Sequence, residues 1–153
     1  MSFSGKPTTL VEQVIENDGF WPNLSVTEFQ KGYRLPAEYL VDMLVTDLTT
    51  AMCEVNSDLA KRKGQWQKMG IACVECADPM VLPKHTFHTA TYKRAVYCRA
   101  KASLLTQFAT VNRRESAENI GKELPERGET FLEFSQQAVR SLQGRGRITA
   151  VLL

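Results

Sequence analysis

The sequence has none of the features that mark a membrane-embedded or secreted chain. No apolar run approaches the ~18 residues that a membrane-spanning helix requires, and residues 1–17 carry polar side chains throughout instead of a basic start followed by an apolar stretch. Four cysteines among 153 residues do not suggest a disulfide framework. We therefore expect a cytosolic protein without a signal peptide or membrane contact, whose cysteines remain thiols.

Groups that perform catalysis are also scarce. His85 and His88 are the two histidines, which leaves few options for a Ser-His-Asp or Cys-His mechanism. No GxSxG, GxxxxGK[ST], GxGxxG or HExxH motif occurs. Carboxylate pairs such as Asp42 with Asp47 lie on a periodic helical stretch, which is typical of a solvated face. We therefore predict that the protein is not an enzyme and that it needs no cofactor.

The formal net charge of +2 is too small for the whole molecule to bind nucleic acid by bulk electrostatics. The charges are nevertheless segregated, with basic residues concentrated over residues 79–114 and acidic residues over residues 115–133. Lys93, Arg94 and Lys101 fall within about 100° of one another on a helical wheel. We expect this basic face either at a DNA channel or at a subunit interface, with simple solvation as the alternative.

Hydrophobic periodicity predicts helices over most of the chain. Between Pro36 and Gly64, apolar residues recur at alternating steps of four and three, which predicts one helix of ~28 residues. A second long helix is predicted over residues 86–111, and its stripe of small residues allows a neighbouring backbone to approach closely. Helical character over residues 116–142 is interrupted near Pro125, where we expect a kink or two separate helices.

The predicted fold class is all-α. Ser25 and Glu28 have the spacing of a capping box, which predicts a short helix that starts there. Residues 1–20 are rich in turn formers and are expected to be a flexible N-terminal arm, which precedes a helical domain over residues 21–143. We expect a small bundle of two long antiparallel helices and a shorter or kinked C-terminal helix, followed by an extended tail over residues 144–153.

The C-terminal tail is apolar and rich in β-branched residues. Nothing else in the sequence offers an obvious strand with which it could pair. An extended end with free backbone groups is suited to adding a strand to another protein, whereas the alternative is a tail folded back onto its own bundle. The candidate binding residues of the tail are Arg145, Arg147, Ile148, Thr149, Val151, Leu152 and Leu153.

Cys73, Cys76, His85 and His88 supply the ligand types of a zinc site in the usual order. The gaps between them are shorter than those of a zinc finger, and His88 falls inside a predicted helix. Small thiols in a loop are therefore the favoured interpretation, with no metal bound. The alternative function that these four residues suggest is a zinc-stabilised regulator that binds nucleic acid.

Two stretches of the sequence point to a known family. Residues 92–105 are YKRAVYCRAKASLL, and the chain ends from residue 138 as AVRSLQGRGRITAVLL. Together with the Phe-Trp-Pro anchor over residues 20–22 and the helix over residues 51–60, they resemble the phage head completion proteins of the gpL type. The resemblance covers residues 19–153, and the family pattern contains no cysteine pair, which counts further against zinc.

The resemblance implies a structural virion protein that joins the DNA-filled head at its portal vertex. Such a protein would form a ring under the portal, a dodecamer by analogy, would retain the genome and would offer a surface for tail docking. The implied partners are the portal protein, neighbouring copies of itself, a tail-terminator or tail-completion protein, and packaged DNA nearby. The implied location is the head-to-tail neck of the virion, and the host cytoplasm during assembly.

Overall fold

The computed structural model describes residues 10–35, 39–77, 87–115 and 127–146, and of residues 109–115 it describes the backbone. Within these ranges the elements in chain order are two short strands, five α-helices and one turn of 3-10 helix at Val74–Ala77. They are β1 (Val14–Ile15), β2 (Leu24–Ser25), α1 (Val26–Gly32), α2 (Val41–Asp58), α3 (Ala60–Lys68), α4 (Phe87–Glu115) and α5 (Gly128–Leu142). The fold is therefore mostly α, and the strands correct the expectation of an all-α chain.

The segment from residue 10 onward packs on the helices, although a flexible arm was expected over residues 1–20. Strands β1 and β2 pair antiparallel, with Ile15 opposite Leu24, and Leu24 is fully buried. Phe20 is 4% exposed because it lies in an aromatic cluster. Apolar burial thus holds these residues in place, and residues 1–9 lie outside the described part of the chain.

Helix α1 starts where the capping box predicted. The Ser25 side chain accepts a hydrogen bond from the Glu28 amide at 3.2 Å. The carboxylate of Glu28 does not return to the Ser25 amide, because Lys93 and the Tyr97 hydroxyl bind it instead. The Ser25 amide donates to the Tyr97 hydroxyl at 3.0 Å. Glu28, the second residue of the predicted capping box, therefore connects α1 to α4.

The helix predicted between residues 36 and 64 is divided in the structure, and its end was placed wrongly. Leu59 interrupts it with ψ near 3°, and its fully buried side chain fixes this turn in the core. Helix α3 then continues through Gly64 to Lys68. Trp66 is 4% exposed, and its burial outweighs the ~1 kcal/mol that glycine costs inside a helix. Residues 36–38 lie outside the described residues.

Helices α2 and α4 run in opposite directions along each other. Asp47 accepts hydrogen bonds from Ser103 and Gln107, whereas Asn56, further along α2, bonds to Tyr92 near the start of α4. Within the part of the chain that the structure describes, none of the helices is long and apolar enough to cross a bilayer.

Helix α5 lies close against the small-residue stripe of α4, as the stripe predicted. A Cβ added at Gly128 would meet the Ala102 carbonyl oxygen at 3.2 Å and the Thr106 hydroxyl at 3.3 Å. Helix α5 begins at Gly128, and the predicted interruption at Pro125 lies outside the described residues. Glycine at this position permits the close approach of the two helices.

A buried serine joins α4 and α5, and its loss is expected to weaken the fold. The Ser135 hydroxyl is fully buried, donates to the Ala95 carbonyl at 2.7 Å and accepts from Arg99 Nε at 3.2 Å. We expect Ser135→Ala to reduce the free energy of unfolding by about 1–3 kcal/mol, because it leaves an Arg99 donor unsatisfied. Urea denaturation measures this change. The exposed serine Ser141 is the control, and equal effects of Ser135→Ala and Ser141→Ala would contradict the prediction.

Candidate functional site

The base of the C-terminal tail is a well-formed helix end. Gly144 adopts a φ of +73°, in the left-handed region that glycine tolerates. The Gly144 amide donates to the Ser141 carbonyl at 3.0 Å, and the Arg145 amide donates to the Arg140 carbonyl at 2.8 Å. These bonds satisfy carbonyls of the last helical turn and turn the chain away from the helix axis.

Hydrogen bonds to two other helices hold this base in position. Arg62 Nε donates to the Leu142 carbonyl at 3.1 Å, and Gln143 Nε2 donates to the Asp58 carbonyl at 3.0 Å. Arg140 donates two hydrogen bonds, at 3.1 and 3.2 Å, to the Gly146 carbonyl. Residues 144–146 are therefore held beside the α2–α3 junction.

The predicted portal-binding residues begin at Arg145, next to Gly144 at this helix end. Arg145 is exposed, and it is the member of the predicted set that the structure describes. The remaining members, which lie outside the described residues, are Arg147, Ile148, Thr149, Val151, Leu152 and Leu153.

The three residues of the predicted basic face are held by contacts within the subunit. Lys93 pairs with Glu28 at 3.1 Å, and the Arg94 guanidinium lies 5.0 Å from the centroid of the Phe134 ring. Lys101 is 3% exposed, donates to the Tyr33 carbonyl and lies over an aromatic ring of α5. Because Lys101 is buried, its ammonium cannot reach DNA or a neighbouring subunit unless these contacts open.

Three neighbouring depressions lie along α4, beside α1 and α5, and together we call them the Arg94 groove. Arg94 lines all three, whose volumes are about 350, 400 and 540 Å³. Its other charged side chains are all basic, and no carboxylate lines it among the described residues. The residues that form it are Gly32, Tyr33, Arg34, Phe87, Ala90, Thr91, Lys93, Arg94, Tyr97, Cys98, Lys101, Phe131, Phe134, Gln137, Ala138, Ser141, Arg145 and Gly146.

The Tyr33 hydroxyl and the Cys98 thiol, which line the groove, are neutral at physiological pH. Burial raises the pKa of the Tyr33 hydroxyl and of the Cys98 thiol, although Arg94 lowers both to a smaller extent. The Cys98 thiol lies 3.9 Å from the Tyr33 hydroxyl. A thiol with a raised pKa is a poor nucleophile, so this arrangement is suited to binding instead of covalent chemistry.

The cysteine-histidine cluster forms no zinc site within the described residues. The Cys73 and Cys76 sulfur atoms lie 3.1 Å apart in the 3-10 turn, and His88 packs edge-on against Trp66 with ring centroids 5.3 Å apart. His85 lies outside the described residues. Nowhere in the described ranges do three or more His, Cys, Asp or Glu side chains come close enough together to hold a metal ion.

Comparison with known proteins agrees with the two motifs. The family model described as phage head completion protein (GPL) matches residues 15–153. A protein of Haemophilus phage HP1 (strain HP1c1), named "Probable head completion/stabilization protein", is 33% identical over 152 residues, which cover 99% of each chain. No solved structure matches this chain. The match over nearly the whole sequence shows that this chain belongs to the phage head completion protein family.

Proposed function

We propose that this protein is a structural subunit that completes the DNA-filled head of a phage. Copies form a ring beneath the portal in the virion neck, help to retain the packaged genome, and offer a surface to which a tail-terminator or tail-completion protein docks. The observation that carries this proposal is the family match over residues 15–153. The name of the Haemophilus phage relative, which includes stabilisation of the head, agrees with it.

The C-terminal residues 144–153 bind the portal protein in this proposal. An extended segment binds through its backbone hydrogen bonds, while alternate side chains enter pockets of the partner. Ile148 with Val151 or Leu152 would fill apolar pockets, and Arg145 and Arg147 would meet acidic or phosphate groups. The helix end held by Arg62 and Gln143 supports this role, because it gives the tail a fixed point of attachment beside the α2–α3 junction.

A truncation tests the portal contact. Removing residues 147–153 keeps the Arg145 amide, which donates to the Arg140 carbonyl at the end of α5, and the Gly146 carbonyl, which accepts from the Arg140 side chain. The subunit is therefore expected to stay folded. We expect affinity for cognate portal rings, measured by pull-down and biolayer interferometry, to fall by about 100-fold or more. The control is Gln67→Ala, an exposed position on α3 that lies outside the tail.

The same samples separate this proposal from the zinc-stabilised regulator. The regulator requires stoichiometric zinc and salt-sensitive binding of DNA by the isolated protein. Portal binding that depends on the tail, in samples without zinc, supports the adaptor function. Undiminished portal binding by the truncated protein would show that the tail is not the contact, and zinc-dependent DNA binding without portal binding would overturn the proposed function.

A further inference from the structure

We propose that the Arg94 groove receives helix α5 of a neighbouring copy, through the acidic and apolar outer face of that helix. We call this face the acidic face of α5, and its members are Glu129, Leu132, Glu133 and Gln136. This inference rests on the proposed function, because repetition of the contact from copy to copy would build the ring.

The groove has the chemistry to bind a helix with this face. Arg34, Arg94 and Arg145 are exposed and line it, and the rings of Phe131 and Phe134 form part of its wall. Guanidinium groups bind carboxylates through paired hydrogen bonds, and rings accept apolar side chains between them. The groove therefore offers positive charge and apolar surface side by side.

The acidic face offers the complementary groups. Its four residues recur at steps of three, one and three, so they lie together on one side of α5. All four are exposed, and Leu132, which is 42% exposed, adds apolar surface beside the two carboxylates. Two carboxylates beside one leucine match guanidinium groups beside aromatic rings.

The relative position of the two surfaces makes the contact directional. Phe134 and Ala138, which line the groove, lie roughly opposite Glu129 on α5 at 100° per residue. Glu133 lies closer to the groove, where it accepts a hydrogen bond from Gln137 at 3.0 Å. One copy can therefore bind a neighbour on each side. Head-to-tail contacts of this kind close into rings when the rotation between copies allows it.

The apolar rings of the groove favour a protein partner over DNA. Phe131 and Phe134 line it beside Arg94, and Phe87, which also lines it, is 55% exposed. Phosphates would not cover such apolar rings. A DNA-binding groove remains a distinct outcome of the experiment below.

Charge reversal in two separate variants tests the contact. We expect Arg94→Glu and the double variant Glu129→Lys/Glu133→Lys each to weaken self-association about tenfold or more, measured by sedimentation velocity over a concentration series and on portal rings. In an equimolar mixture, the two variants can alternate around a ring. Each reversed groove then meets a reversed α5 face, and each native groove meets a native α5 face, so every contact is again attractive. Assembly of the mixture is therefore expected to return to the wild-type level.

The controls place the same charge changes on other exposed positions. Lys61→Glu and Glu12→Lys lie outside both surfaces, and circular dichroism checks that every variant is folded. A mixture that assembles no better than either variant alone would overturn the proposal. So would wild-type copies that do not associate with one another, either in solution or on portal rings. Loss of duplex DNA binding by Arg94→Glu, with unchanged self-association of both variants, would identify a DNA site instead. Because portal affinity of the tail truncation is measured separately, failure of this contact leaves the proposed function standing.

Discussion

Trp21→Ala is expected to lower the free energy of unfolding by about 3–5 kcal/mol, the range found when a buried aromatic side chain is truncated. Trp21 is 2% exposed and stacks on Tyr92 with ring centroids 4.8 Å apart and planes 6° apart. Its ring also contacts Phe20 at 5.0 Å and Trp66 at 6.0 Å between centroids. The cluster joins the N-terminal segment to α3 and α4, so truncation removes contacts to three parts of the chain at once.

Trp21→Phe is the matched control. The Trp21 Nε1 proton is buried and has no hydrogen-bond partner in the described part of the chain, so its removal sacrifices no bond. We expect the phenylalanine variant to recover most of the stability, since its ring can still stack on Tyr92. Thermal and urea unfolding of both variants measures the difference. Melting of Trp21→Ala within a few degrees of the wild type would contradict a central role of the cluster.

Local sequence patterns predicted the elements whose determinants are themselves local. The capping residue Ser25 and the hydrophobic periodicity of α4 each depend on neighbours within about one helical turn. The end of α3 was misplaced because Trp66 is buried against Phe20, which lies far away in the sequence. A glycine marks a helix end only when no such distant contact extends the helix.

The features of the candidate site could likewise be predicted only where they depend on nearby residues in the sequence. Arg94 and Lys101 share a face of α4, as their spacing predicted, yet α1 and α5 cover Lys101 and leave Arg94 exposed. The groove itself could not be predicted, since Arg34 and the rings of α5 reach it only through packing of separate helices. Arg34 also adopts a φ of +48°, a left-handed conformation that an arginine in the sequence does not predict.

The protein is expected to lose stability steeply above pH 10, because burial raises the pKa of three tyrosine hydroxyls above their ordinary value of 10.0. Tyr92 is fully buried, donates to Asn56 Oδ1 at 2.6 Å and accepts from Asn17 Nδ2 at 2.8 Å. Tyr97 is 4% exposed and donates to Glu28 at 2.9 Å, where the neighbouring carboxylate adds to the shift. A tyrosinate at either place would lose its donor role in a site shielded from water.

The direction of the effect follows from proton linkage. In the unfolded chain these tyrosines release their protons near pH 10, whereas in the folded chain they keep them to higher pH, so a rise in pH favours unfolding. The stabilisation is fully present below pH 10 and is lost as the pH rises toward the folded-state pKa values. Each buried tyrosine contributes a slope of about 1.4 kcal/mol per pH unit, and Tyr92 with Tyr97 gives roughly 3 kcal/mol per unit.

Urea midpoints measured from pH 8 to pH 12, with tyrosinate absorbance followed in parallel, test this expectation. Unfolding and tyrosinate formation are expected to coincide, because the hydroxyls ionise only when the core opens. The Cys98 thiol, whose pKa burial also raises, adds a slope of the same sign, and Cys98→Ala removes that part. The double variant Tyr92→Phe/Tyr97→Phe should lose stability at neutral pH but show a flatter alkaline slope. Tyrosinate absorbance that rises fully at pH 10 while the protein stays folded would show that these hydroxyls are open to water, and that the polar links from Asn17 and Glu28 to α4 do not persist in solution.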